Sequence, residues 1–503
     1  MFAIICPLFV LPFGPALAAV TISSGQTQNM DCSDGVCSPT AVDAVLNVTD
    51  LENFLASGNL EITTTGNGVQ ASEIDVTVPF SWSTGSLFSL DAYDSIAIES
   101  QISVEGEGGL SLLTDDGGTG GLLSFKSGGD VTFADLSSQL TVNGRSFSLA
   151  GDVASLAIGI AANPTGNFAL AKSYDASGDG TYDQSPIPTR FGGSFEGLGN
   201  TISNLTIQNS IGVKLGFFAT VLHGNLAHIG LVNESISSSV KAKDVGGLVG
   251  YAEKSTIDEA YTTGAISLND RASAGGLIGR TNTIHVSRSF SEVNITAAFG
   301  GVGGLIGTSD IGDKISLSYA TGAVKVGKNS SAGGLLALMN EGTVIQCFAT
   351  GNVSVGPNSP VGGLVGDAGS KIISDSYATG NTTVADRIHS GAAGGLVGNN
   401  VGEITTSYAI GVVSQNAMSA GGLIGVDGSS SGSLEKNYWD TTTSGITNPD
   451  QGAGNILNDP GITGKTTKQF RSRLPKGFSP KIWGENSNIN GGLPYLLANP
   501  PTQ

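Results

Sequence analysis

The chain has 503 residues, of which 75 are glycine and only 13% are charged, with a formal net charge of −19. That length admits several ordinary domains or one long repeat array, and a mean hydropathy of +0.12 excludes a disordered polar chain. So acidic a surface repels phosphate backbones and anionic membranes while favouring divalent cations, so nucleic acid is not expected as a partner.

Residues 1–18 read as a signal peptide, an apolar stretch closing on the small-residue pattern Ala16-Leu17-Ala18, with cleavage expected after Ala18. Its prolines and length argue against a membrane span, and no later stretch is apolar for long enough, so no transmembrane segment is expected. Residues 19–44 form an N-terminal segment in which Cys32 and Cys37 sit close enough to close a small disulfide loop after export. A two-cysteine metal site is the alternative, although no nearby histidine or second cysteine pair completes it.

Residues 45–150 hold short alternating segments at 87–90, 96–98, 110–112, 131–133 and 140–142, separated by Gly-rich corners. They read as an irregular solenoid section continuous with the repeats that follow. Residues 151–200 read as a helix-containing insertion and loop, with Asp152 opening a short helix that runs to Ala162. Within it Asp175, Ser177, Asp179 and Asp183 place oxygen side chains at positions 1, 3, 5 and 9 of a loop with Gly180 at position 6. Alternate oxygens about a sharp glycine turn open a Ca²⁺ loop, but the twelfth position is Pro186, where a bidentate carboxylate belongs. Turns use Asp and Gly for their own sake as well. Ca²⁺ is thus the sole cofactor to consider.

From 201 to 440 the chain repeats. Gly-Gly-Leu-(Val/Ile/Leu) begins at Gly246, Gly275, Gly303, Gly333, Gly362, Gly394 and Gly421, in steps of 29, 28, 30, 29, 32 and 27 residues. Aromatic residues keep the same time at Tyr261, Phe290, Tyr319, Phe348, Tyr377, Tyr408 and Tyr438. Two independent markers at one period establish a repeat. Branched aliphatics stand four residues before each aromatic, from Ile257 to Leu434, and alternating pairs such as Val324 and Val326 follow it, so one face of each segment points to a common interior.

A unit of this length cannot bury its own apolar edge, so it must stack on its neighbours. The predicted fold is all-β: a parallel β-helix (β-solenoid) with about three short strands per coil of about 29 residues, right-handed by the crossover preference. Side chains at equivalent positions form ladders, with Leu248 over Leu277 over Leu305 and Tyr319 over Phe348, Tyr377 and Tyr408. The paired glycines, Gly246–Gly247, Gly275–Gly276 and Gly303–Gly304 among them, read as corners whose backbone conformations β-branched residues cannot adopt. A phosphate-binding loop is excluded, because no Lys-Ser/Thr and no helix pattern follows any copy. Residues 441–503 abandon the period and read as a C-terminal cap, with Trp483 and Pro494-Tyr495-Leu496, beside Trp439, suited to covering the open end of the stack.

These Gly-Gly-Leu-Val-Gly blocks with Tyr-Ala-Thr-Gly segments resemble the GLUG repeat, in company with residues 195–205 and Asn437-Tyr438-Trp439-Asp440-Thr441-Thr442. Together with residues 45–200, the chain is similar to the C-terminal part of filamentous-haemagglutinin-like bacterial surface proteins. The resemblance implies a bacterial, exported, adhesin-like protein on a β-helix body, with partners among host or surface glycans, matrix proteins or other cells.

The alternative reading is a polysaccharide-cleaving β-helix enzyme, which needs paired carboxylates or a Ca²⁺ cluster on adjacent coils. The residues flanking the aromatic marker supply no acidic column, and Asp258-Glu259 reads as a pair standing alone. His223, His228, His285 and His389 show no catalytic spacing with Ser or Cys, and Cys347 reads as a small buried residue. No catalytic residue is assigned, and the expectation is a protein without enzymatic activity.

Overall fold

Parallel backbone pairing between residues about one coil apart organises most of the described residues. The computed structural model describes residues 18–239, 242–369, 372–385 and 391–501; the expected signal peptide, Ala18 apart, and His389 lie outside them. The protein is nearly all β, a β-solenoid of about 15 turns with coils of about 29 residues. It divides into two compact units, Met1–Leu149 and Ala150–Gln503. Among the described residues no helix is long and apolar enough to cross a membrane.

In the first unit, alternation sends every second side chain inward. Val20 and Ile22 of Ala19–Ser23 pair in parallel with Ala44 and Leu46 on one side and with Ile74 and Val76 on the other. Leu60–Phe88–Leu110–Leu140 and Phe80–Ile102–Val131 form two further columns. Residues 19–44 are therefore no separate segment, since Ala19–Ser23 lies inside a sheet. Cys32 and Cys37 face each other across an antiparallel hairpin, joined by a disulfide. Its turn residues, Asp34 and Gly35, both have positive φ, which suits the twist of two paired strands. A helix at Val48–Ser57, capped by Asn47, buries Leu51 and Leu55.

The second unit opens on the expected helix, Val153–Ala162, held by a capping box between Asp152 and Ser155. The stretch read as an insertion is in fact already coiled. Phe168 pairs with Phe195, then Leu226, Ile257, Val286, Ile315, Val344, Ile373, Ile404 and Leu434 in one parallel column. Its earliest coils lack the Gly-Gly marker, so their period is invisible in the sequence. The leucine ladder is bonded directly: Leu248 N–H donates to Leu277 O at 3.0 Å, Leu277 to Leu305 at 2.9 Å, and Leu305 to Leu335 at 2.9 Å.

The paired glycines serve close approach and not unusual backbone angles, a correction to the corner reading. None of Gly246, Gly247, Gly275, Gly276, Gly303 or Gly304 has positive φ. A Cβ on Gly334 would lie 2.1 Å from Gly363 O and 2.8 Å from Ala349 Cβ. Gly304 faces Ala320 and Gly363 faces Ala378 in the same way. In the four coils from Tyr319 to Tyr408 the second glycine and the alanine after the aromatic thus meet across the lumen, which leaves no room for a Cβ on that glycine.

The left-handed conformation falls instead two residues before each aromatic, at Glu259, Arg288, Leu317, Gln346, Asp375, Thr406 and Lys436, with φ between 45° and 55°. The next residue repairs the pairing that this turn interrupts. Ser318 Oγ accepts from Ser289 N–H at 3.2 Å and donates to Ser316 O at 2.7 Å. Ser376 does the same for Cys347, and Ser407 for Ser376. Cys347 is fully buried in this column, and burial pushes its thiol up to about 12.

With alanine pointing inward, the aromatic ring points out. From Tyr261 to Tyr408 the rings stack with centroids 4.7 to 5.1 Å apart and planes within 7° of parallel. Such a stripe needs cover, and the C-terminal segment supplies it. Residues 441–465 wind one more irregular coil, where Ile462–Lys465 pairs with Asn437–Asp440. The chain then runs back along the side of the stack, packing Phe470, Phe478, Trp483, Leu493 and Leu496 on the rings. Tyr408 Oη donates to Pro494 O at 2.6 Å, and Trp483 Nε1 to Asp375 Oδ1 at 3.1 Å. The segment read as an end cap is thus also a lateral strap, while Trp439 closes the lumen over Gly422.

Replacing Gly334 with alanine should destabilise the second unit by about 3 kcal/mol, the cost of forcing a methyl into a filled core. Gly178, with open space where its Cβ would stand, should tolerate alanine within about 0.5 kcal/mol. Chemical denaturation of the two variants checks the difference.

Candidate functional site on the outer face of the second unit

Outward side chains are free of the packing rule, and there the polar chemistry gathers. Of the four residues read as a Ca²⁺ loop, Asp175, Asp179 and Asp183 form no group able to hold a metal ion. Asp175 caps the short turn Ala176–Asp179, its Oδ1 accepting from Ser177 N–H at 3.0 Å and Asn204 Nδ2 at 2.9 Å. Asp179 is taken up by the phenols of Tyr174 and Tyr182. Among the described residues no three His, Cys, Asp or Glu side chains form a group able to hold a metal ion. The local spacing is right, but Tyr174 and Tyr182 of the same loop and Asn204 of the next coil occupy the oxygens.

Asp258 and Glu259 do not stand alone either. They lie at the left-handed corner of their coil, with Arg288 one coil on and His228 one coil back. Arg288 bonds Asp258 through Nη2 and Glu259 through Nε, the latter at 3.2 Å. His228 Nδ1 lies 2.7 Å from Glu196 Oε1, and its Nε2 lies 3.9 Å from Glu259 Oε2. Burial disfavours charge on this imidazole, yet the Glu196 carboxylate, aided by Glu259 and Asp258, outweighs it and raises the ring to about 9. This is a stacked acid–histidine–acid–arginine corner spanning four coils.

A second constellation lies where the strand before each Gly-Gly meets the strand after it. Lys214 pairs with Asp244 in one outward column, and Tyr251 with Arg280 and then Thr308 in the next. Lys214 Nζ sits 4.2 Å from the Tyr251 ring centroid, and Tyr251 Oη donates to Glu253 Oε2 at 2.8 Å. Arg280 Nε donates to Asp310 Oδ2 at 2.7 Å, and Asn340 Nδ2 to Asp310 Oδ1 at 3.0 Å. Asp244 is buried beside them, its Oδ1 lacking a hydrogen-bond partner among the described residues. Burial raises its pKa against the pull of Arg280, Lys243 and Lys214.

Arg280, Asn282, Asp310, Ile311, Asn340 and Glu341 line an open groove of about 460 Å³. Its rim is a bulge, where the register slips between Ile311 and Asp313 and Gly312 takes a φ of 77°. Asp313 anchors the bulge from inside, accepting from Thr281 Oγ1 at 2.5 Å, Ser309 Oγ at 2.7 Å and Ile284 N–H at 2.9 Å. None of this followed from the spacing of apolar residues. One available signal was the residue after each Gly-Gly-Leu-x-Gly, which reads Tyr251, Arg280 and Thr308 before turning to Leu338 after Gly-Gly-Leu-Leu-Ala.

No family model matches the chain. It is 38% identical over 106 residues, 21% of its length, to Halomucin of Haloquadratum walsbyi (strain DSM 16790 / HBSQ001), and spans 1% of that protein. Among solved structures it is similar to an IgA1 Protease at a TM-score of 0.40 and 18% identity, over 54% of this chain and 23% of that one. It is also similar to a Bacteroides ovatus protein assigned provisionally as an immunoglobulin A1 protease, at 0.39 and 18%, over 70% and 93%. The expectation of a protein without enzymatic activity does not stand against neighbours that bear the name of a protease. Its premise fails too, because ionisable groups do gather across coils. Likenesses this low assign no reaction to this chain.

The His228 corner has a pH signature. A ring held at about 9 stabilises the fold fully below its unfolded value near 6.5 and loses that contribution as pH rises through 9. Melting temperature should therefore fall between pH 7 and pH 10, and Glu196→Gln should flatten that fall. An unchanged slope in the variant would place the charge elsewhere.

Proposed function

We propose that the chain is an extracellular, adhesin-like repeat protein of the bacterial surface that attaches to glycans, matrix proteins or other cells through its solenoid face. One observation carries the reading: the main inward columns of the second unit stay apolar from coil to coil, whereas the outward column Tyr251, Arg280, Thr308 and Leu338 changes chemistry at every coil. A scaffold so built holds differing side chains at fixed spacing, which suits recognition of extended ligands. The Cys32–Cys37 disulfide fits export to an oxidising compartment. The resemblance to GLUG repeats and haemagglutinin-like adhesins agrees with this, and the net charge of −19 disfavours nucleic acid.

The test is binding of the purified chain to arrayed glycans, matrix proteins and intact cells. Saturable binding to at least one class is expected, and a blank across all three would sink the reading. Fragments or new reducing ends released from polysaccharide or protein panels would instead mark an enzyme.

A further inference from the structure

We propose that the groove over Arg280, Asn282, Asp310 and Asn340 binds an uncharged oligosaccharide. The proposal rests on the attachment reading and names the place and the ligand class.

Charge narrows the ligand first. Among the groove-lining residues Arg280 is the cation, against Asp310 and Glu341, an excess of one negative charge. Arg280 is already committed to Asp310 at 2.7 Å, so a phosphate, sulfate or uronate would meet repulsion from Glu341 with no second cation among the lining residues to offset it. Backbone pairing narrows it next. Ile278–Asn282 is bonded to Val249–Glu253 on one side and to Ile306–Ser316 on the other, and Ile306–Ser316 is bonded in turn to Leu336–Ile345. A groove floor without an open edge cannot add a peptide strand, so recognition must run through side chains.

Those side chains mix donors and acceptors. The Asn282 and Asn340 amides each offer both, Arg280 keeps its terminal amino groups, and the carboxylates keep lone pairs beyond those used by Arg280 and Asn340. Neighbouring hydroxyls on a sugar ring, each both donor and acceptor, match that pattern. Ile311, 59% exposed on its bulge, offers the apolar edge against which the C–H face of such a ring packs. Asp313 and its three bonds hold this rim rigid, as a preformed site requires.

The test is titration of the full chain with neutral hexose and N-acetylhexosamine oligomers, beside sulfated oligosaccharides and basic peptides. Wild type should bind a neutral oligomer, and Arg280→Met and Asn340→Ala should each weaken it about tenfold or more with melting unchanged. If Arg280→Met fails to fold, the exposed Asn340→Ala decides. Equal binding by a folded variant, or preference for sulfated oligomers or basic peptides, overturns this inference and leaves attachment standing. Failure to bind neutral oligomers while matrix protein or cells are bound overturns it likewise. A blank on every ligand, matrix and cells included, overturns both.

Discussion

From Tyr319 to Tyr408 the coils of the second unit stack with the lumen closed to the width of a glycine against an alanine. With Gly334 under Ala349 and Gly363 under Ala378, the two walls approach until backbone nearly meets backbone. In-register N–H and C=O groups can then pair up the column, as the leucine ladder does. A side chain on either glycine would wedge the walls apart and break pairing in neighbouring coils as well as its own.

Much else follows from that narrowness. Alanine inward forces its aromatic neighbour outward, so the rings form a stack outside the lumen. An external stack is apolar surface in water, and the strap of Phe470, Phe478 and Trp483 removes most of it. Chain direction must also reverse in little space. A left-handed residue precedes each aromatic, and in four coils the buried hydroxyl of Ser289, Ser318, Ser376 or Ser407 substitutes for the backbone bond that the turn gives up.

Function then falls to positions the stacking rule ignores. The corner of Glu196, His228, Glu259 and Arg288 and the groove around Arg280 and Asp310 both draw on residues from several coils, one or two from each. Neither is a local motif. Each exists because the coil length carries a side chain to the same place one turn later, so a substitution in one coil meets its partner in the next. A rigid scaffold with interchangeable outward columns can change its ligand without disturbing its core.

The sequence by itself determined the coil length, the repeat register, the buried ladders from Ile257 to Leu434 and the stacking of Tyr319, Phe348, Tyr377 and Tyr408, because in-register stacking copies a linear period directly into space. The helix after Asp152 was legible too, since capping is local. What only tertiary structure decided depends on which residues meet across a coil or between coils. Gly-Gly proved a matter of clearance and not of φ, since clearance depends on the opposite wall. Asp175 gave an oxygen to Asn204 one coil on, and Asp258-Glu259 gained His228 and Arg288. Residues about thirty apart carry no mark of adjacency in the chain, and only the winding brings them into contact.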